Sequence, residues 1–134
     1  MSRRVADLWE RAKKALVVAR SVLALDPDST ASRAYYAAFY AVSARLALDG
    51  KSYRKHSGVE TAVHRDLVNG GVWPVELGQG YSRLSEARST GDYGESEHIT
   101  ATRAAETIEI AGKVLQAIAR EHPEVFPGLE DLNR

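Results

Sequence analysis

Cysteine is absent from the 134 residues, which removes disulfides, Cys-ligated zinc, iron–sulfur clusters and thiol catalysis, and fits a reducing cytoplasm. No apolar run approaches the roughly 18 residues of a membrane span, and Met1–Ala6 is charged where a secretory signal would be apolar. A cytoplasmic protein with no membrane association is expected. Net charge is missing too: 18 Lys/Arg balance 18 Asp/Glu, so no broad positive field exists to hold nucleic acid indiscriminately. The four prolines stand at Pro27, Pro74, Pro123 and Pro127, and there is no strand-like alternation, internal repeat or low-complexity segment.

What is present is 44% hydrophobic and 27% charged sequence in 14.7 kDa, the composition of one globular domain. A chain of this length buries roughly two thirds of its unfolded surface and needs no staple to build a core. The charge is uneven. Residues 1–20 hold six Lys/Arg against two acids and residues 51–65 four against one, while 86–97 and 121–134 are net acidic.

Val5, Leu8, Ala12, Leu16, Ala19 and Leu23 recur at steps of three and four, predicting a helix over Arg3–Leu25. Pro27 biases Asp26 away from helical geometry, and Asp28 or Ser29 is placed to cap a second helix that runs to Asp49, with Gly50 as its C-terminal cap. A basic loop, Lys51–His56, leads to a shorter helix over Ser57–Val68, closed by Asn69-Gly70-Gly71. Pro74 opens a fourth helix over Val75–Ser89, and Thr90–Gly94 reads as a loop. Ala101, Ala105, Ile108, Gly112, Leu115 and Ala119 mark a last helix over Thr100–Glu121, after which Pro123 and Pro127 break the chain. The expected architecture is all-α, an antiparallel four- to five-helix bundle: one domain over 1–134, with a core over 3–121 and a C-terminal tail over 122–134.

The second helix carries two faces. Tyr35, Phe39, Val42 and Leu46 form a core stripe, whereas Arg33, Tyr36 and Tyr40 fall within about 60° of one another at 100° per residue. Tyrosines at this spacing serve either as core residues with wet hydroxyls or as a wall that stacks a base beside a phosphate-gripping guanidinium. In the fourth helix Arg88 continues the apolar face of Leu77, Tyr81 and Leu84. It must therefore snorkel outward or meet a carboxylate, carbonyl or anion; Asp92 is the nearest structural partner. The Lys51–His56 loop, with Lys55 and His56, offers donors to phosphate, or is simply a solvated charge run.

Other signatures fall away. Glu95-Ser96-Glu97-His98 has a Glu-x-x-His spacing but lacks the second copy that a dimetal bundle needs. Gly78-Gln79-Gly80 has neither the strand nor the third glycine of a dinucleotide loop, and no Gly-x-Ser-x-Gly elbow occurs. His64 and His122 read as surface residues. No metal and no cofactor are expected.

Ser32-Arg33-Ala34-Tyr35-Tyr36-Ala37-Ala38-Phe39-Tyr40-Ala41, Lys55-His56-Ser57-Gly58-Val59, Glu76-Leu77-Gly78 and Leu84-Ser85-Glu86-Ala87-Arg88 with Asp92-Tyr93 occur in an order and spacing that resembles the HEPN domain family, in its small stand-alone prokaryotic branch. The likeness covers about residues 5–120. It implies an antiparallel bundle that commonly dimerises, a groove near the dimer interface, and nucleotide or single-stranded RNA as ligand. It also implies metal-independent RNase or toxin activity in many members, often beside a small nucleotidyltransferase partner. The family's RNase motif is an arginine followed four to six residues later by a histidine. Arg88 matches the arginine, but Asp92-Tyr93 stands where the histidine would be and His98 comes ten residues on. This departure weighs against cleavage by that motif.

Three functions follow. The first is a HEPN-type nucleotide- or RNA-binding homodimer of a toxin–antitoxin or nucleotidyltransferase-linked system, binding through Arg33, Tyr36, Tyr40, Lys55 and His56. The second is an endoribonuclease with a degenerate motif, in which Arg88 steadies a phosphate, Asp92 is neutralised by Arg88 and Tyr93 donates a proton, or in which His56 completes the site. The third is a helical interaction module without a ligand.

Overall fold

The computed structural model describes residues 2–133; Met1 and Arg134, the ends of the expected 1–134 domain, lie outside the described residues. Five α-helices and no strands are found among them: α1 Arg3–Val22, α2 Pro27–Leu48, α3 His56–Ala62, α4 Val75–Tyr93 and α5 Ala101–Glu121. A π-helical turn over Val63–Val68 continues α3, and a 3₁₀ turn spans Glu130–Asn133. The all-α reading holds.

Cross-helix contacts fix the directions. Thr30 Oγ1, at the start of α2, donates to the Ala19 carbonyl near the end of α1 at 3.1 Å, and Arg4 reaches Ser52 Oγ beyond the end of α2 at 3.4 Å, so α1 and α2 are antiparallel. The C-terminal part of α4 meets the beginning of α2, and the C-terminus of α5 meets the end of α2 through Arg45 and Glu121. Helices α1, α2, α4 and α5 therefore alternate in direction along the chain. At the centre, α2 buries Ala31, Ala34, Ala37, Ala38, Ala41 and Ala44. These small side chains let α1, α4 and α5 approach it from different sides.

The α1–α2 boundary differs from its expected position. The Leu25 and Asp26 amides both bond to the Val22 carbonyl, at 3.0 and 2.8 Å, which ends α1 three residues before Leu25. The cap of α2 is Asp26, not Asp28 or Ser29. With Pro27 in the first turn, the extended backbone at Asp26 turns its carboxylate onto the Asp28 amide at 3.2 Å and the Ser29 hydroxyl at 2.6 Å. Asp28 is thereby free to accept the Ile99 amide at 2.7 Å and to stand 2.8 Å from His98 Nδ1, tying the α4–α5 connection to α2. Gly50 takes the expected left-handed conformation, φ 77°.

Helix α4 overturns the expected Thr90–Gly94 loop by continuing to Tyr93. The reason is packing: a Cβ on Gly91 would lie 2.9 Å from the Asp28 carbonyl oxygen, so glycine here permits contact between α4 and the first turn of α2. Gly91→Ala should gain up to about 1 kcal/mol in helix propensity and lose about 1–3 kcal/mol by overpacking against backbone, a net destabilisation visible in a urea melt. An unchanged or raised midpoint would show that this contact is loose.

The apolar stripe of α5 is also displaced. Ala101 and Ala105 are exposed, and the buried face is Ala104, Thr107, Ala111, Val114, Leu115 and Ile118. Thr107 disguises that face in the sequence, yet it is buried at no loss because its hydroxyl donates to the Ala104 carbonyl at 2.6 Å. In the π turn, His64 is half-buried rather than superficial, its Nε2 lying 2.9 Å from Ser82 Oγ, which donates to Glu60 at 3.0 Å. His122 is likewise partly buried, edge-on to Phe126.

The segment after α5 folds back along α1. Phe126 is fully buried with its ring 5.1 Å from Trp9, and Pro127 offers its carbonyl to Trp9 Nε1 at 2.8 Å and to Lys13 Nζ at 3.1 Å. Arg20 donates to the Leu132 carbonyl at 2.7 Å. Among the described residues no helix is long and apolar enough to cross a membrane.

Candidate functional site

Helix α2 presents consecutive aromatic residues at about 100° per position, so a ring from the core stripe and one from the polar face can contact the same neighbour. Tyr35 and Tyr36 do this. Their rings are 5.3 Å apart and nearly perpendicular, and both meet His56, at 5.6 Å each, stacked on Tyr35 and edge-on to Tyr36. Phe39 also stacks on the imidazole, at 4.5 Å, and lies 5.9 Å from the Tyr35 ring. Tyr40 extends the wall, 5.8 Å from Tyr36.

Arg88 enters this aromatic group from α4. Its guanidinium carbon lies 5.0 Å from the Tyr35 ring centre, 5.9 Å from Tyr36 and 5.7 Å from Tyr93, within cation–π range of all three. The side chain is 16% exposed. Burial works against its charge, but the oxygens of Tyr36, Tyr93 and Tyr35 hold it firmly protonated. Asp92, one turn on, stands 3.6 Å from Nη1, longer than a normal charge-assisted hydrogen bond, and also accepts from Ser32 Oγ at 3.4 Å. The buried Nε of Arg88 has no hydrogen-bond partner among the described residues.

His56 Nδ1 is 3.0 Å from the Tyr35 hydroxyl. Burial, and then the positive charge of Arg88, push the imidazole below its ordinary pKa, while burial pushes the Tyr35 phenol up. A protonated phenol beside a neutral imidazole donates to Nδ1, leaving the ring hydrogen on Nε2. The Tyr81 ring lies 6.1 Å from that of Tyr35, and its hydroxyl is buried without a hydrogen-bond partner among the described residues; burial pushes its pKa well above the usual range.

The expected residues therefore divide. Arg88, Asp92 and Tyr93 on α4 converge with Tyr36, Tyr40 and His56, and Arg33 joins them with its guanidinium 4.9 Å over Tyr36. Extension of α4 through residue 93 makes this possible. Lys55 stays exposed as the residue before α3, and its side chain makes no capping hydrogen bond. Tyr35 and Phe39, read from sequence as core, hold His56 in place; the hydroxyl that distinguishes Tyr35 from Val42 and Leu46 on one stripe was the available signal. Arg11 of α1, over the Tyr40 ring at 5.8 Å, had none.

An anion entering here meets cations at Arg88 and Arg33 and rings on which a base can stack. The cleft beside Arg33, of about 440 Å³, is lined also by Asp26, Asp28 and Asp92 and disfavours negative charge, so attraction is concentrated on the tyrosine side. Among the described residues no three His, Asp or Glu side chains gather to hold a metal ion; His98 is engaged by Asp28.

The model of the HEPN domain matches residues 5–122 of the chain. A UPF0332 protein of Thermotoga maritima is 38% identical over 133 residues, covering 98% of this chain and 96% of that protein. The UPF0332 protein glr0978 of Gloeobacter violaceus is 36% identical over 90 residues, covering 66% and 71% respectively. The crystal structure of TT1696 from Thermus thermophilus superposes with a TM-score of 0.78 at 22% identity, over 90% of this chain and 99% of that one, a likeness of fold.

Proposed function

The chain belongs to the HEPN domain family, and on that premise we propose that it binds the phosphate of a nucleotide or single-stranded RNA at Arg88, with Arg33, Tyr36 and Tyr93 around it. One observation carries the reading: a charged guanidinium, mostly buried, is held by aromatic faces rather than by a tight carboxylate pair. A structural arginine is ordinarily spent on its partners, as Arg45 is here on Glu121 and Asp49. Arg88 keeps donor capacity for a ligand oxygen.

Arg88→Ala should stay folded by circular dichroism and lose about tenfold or more in affinity for a short labelled oligouridylate, since a charge-assisted contact is removed. In the same variant the His56 pKa should rise, because both the charge and some of the burial that lower it are gone; proton NMR titration reads this. Wild-type affinity in the folded variant would remove Arg88 from the site.

His56 favours a second reading, as a metal-independent endoribonuclease. It shares Tyr35 and Tyr36 with Arg88, so the histidine missing after Arg88 has a counterpart in space, neutral near pH 7 and with its Nε2 hydrogen available to a phosphate or leaving-group oxygen. Cleavage of single-stranded RNA in excess chelator, lost in His56→Ala, would establish it. Homodimerisation, a nucleotidyltransferase partner, a toxin–antitoxin setting and a cytoplasmic location belong to this proposal through the family likeness and the cysteine-free composition. Co-purification with the product of a neighbouring nucleotidyltransferase gene tests the partner.

A further inference from the structure

From the Arg88 group a line of alternating cations and half-buried rings runs along the α1–α2 seam. Arg33 lies over Tyr36 at 4.9 Å, Tyr36 lies 5.8 Å from Tyr40 with ring planes 36° apart, and Arg11 of α1 lies over Tyr40 at 5.8 Å. Two rings are thus bracketed by two guanidinium groups. Among the described residues neither Arg11 nor Arg33 pairs with a carboxylate, whereas Arg45, Arg65 and Arg83 do. Asp7, one turn before Arg11, is 3.9 Å from Arg3 instead.

The line continues along α1. Arg4 is seven residues from Arg11, two turns on one face, and its guanidinium touches Ser52 where the basic 51–56 segment begins. From Arg33 to Tyr40 the helix advances about 10 Å, the axial length of roughly three stacked nucleotides. One phosphate cannot meet cations spaced this way, but successive phosphates of a strand can, with bases laid on the intervening rings.

We infer that Arg11 and Tyr40 form a second subsite, adjoining the Arg88 pocket through Tyr36, which selects a single-stranded polynucleotide over a mononucleotide. The inference rests on the reading of Arg88 as a phosphate contact. Arg11 holds a phosphate and Tyr40 a base; Arg4 and the 51–56 segment extend the track.

The test compares fluorescently labelled U8, labelled dT8 and uridine monophosphate on the full chain, with titrations repeated over a range of salt concentrations. Arg11→Ala should weaken U8 binding about tenfold and reduce the magnitude of its salt slope by about one, with a smaller effect on the mononucleotide. Tyr40→Leu should also weaken U8, leaving the salt slope intact, because it removes stacking and not charge. Equal losses with U8 and dT8 mean that the track reads phosphate and base faces; a loss confined to U8 means that it also reads the 2′-hydroxyl, and either supports the subsite. Arg88→Ala should weaken all three ligands. If Arg11→Ala binds U8 with wild-type affinity and slope while Arg88→Ala does not, the second subsite is wrong and the first stands. If neither variant changes binding, or wild-type protein binds none of the ligands, both fail. If Arg11→Ala leaves binding intact and changes the sedimentation coefficient, the seam is a protein interface and the inference is overturned.

Discussion

Phe126→Ala is expected to lower the unfolding free energy by about 3–5 kcal/mol, the usual range for truncating a buried aromatic side chain. The ring is 1% exposed, and Trp9, itself buried, packs on it from α1. Removing it leaves a cavity next to the Trp9 indole and loosens the turn whose Pro127 carbonyl receives the indole N–H. A urea melt followed by tryptophan fluorescence reports both effects, because Trp9 is the residue disturbed. A loss under about 1 kcal/mol would mean that the cavity collapses freely and that the segment after α5 is an appendage.

The second large effect concerns Arg45, whose side chain is only 9% exposed. Nε and Nη2 donate to the two carboxylate oxygens of Glu121 at 2.9 and 2.7 Å, and Nη1 donates to Asp49 at 2.8 Å. This fork closes the end of α2 onto the end of α5. Arg45→Ala strands a partly buried carboxylate and should cost about 3 kcal/mol, the low end of the range for a broken buried pair because Glu121 keeps some contact with water. The pairwise replacement Arg45→Met with Glu121→Leu should recover most of the loss.

The pH dependence separates this account from lost packing alone. Arg45 holds the Glu121 carboxyl below its ordinary value, against an opposing effect of burial. The stabilisation is therefore fully present above the unfolded-state value of about 4.3 and is lost as pH falls through the lower folded-state value. Arg45→Ala lacks this contribution, so its deficit relative to wild type should shrink between pH 7 and pH 3 in parallel urea melts. A constant deficit would assign the effect to the arginine stem.

The helices were legible because their signals are local: periodic apolar residues, Pro27 and Pro74 at entrances, Gly50 at an exit. The Tyr36, Tyr40 and Arg33 face was legible for the same reason, as was the awkward position of Arg88 on an apolar stripe. What failed depended on neighbours remote in sequence. Gly91 looks like a loop residue until the Asp28 carbonyl stands against it, and α4 then carries Asp92 and Tyr93 to a different place from the one a loop would give them. Thr107 looks polar until its own helix accepts its hydroxyl. Arg11 was invisible because the register of α1 on α2 decides which arginine overlies Tyr40, and no spacing within one helix encodes that register. Arg45 stands four residues before Asp49, a spacing the sequence shows, but only the meeting of two helix ends reveals Glu121 as its second partner.

The row of buried alanines in α2 has a consequence for how this surface can change. The same rod supplies the innermost packing of the molecule and the half-buried phenol rings of Tyr36 and Tyr40, and its alanines leave almost no slack for a wider side chain. A substitution that enlarges Ala37 or Ala41 would push on the helices packed against α2 and shift Tyr36 and Tyr40 with it, so thermal tolerance and ligand grip should decline together across a library of α2 variants. Changes at Arg11, on a helix rim open to water, escape this tie. Altered ligand preference is therefore more accessible through α1, where one trait can drift while the other is conserved.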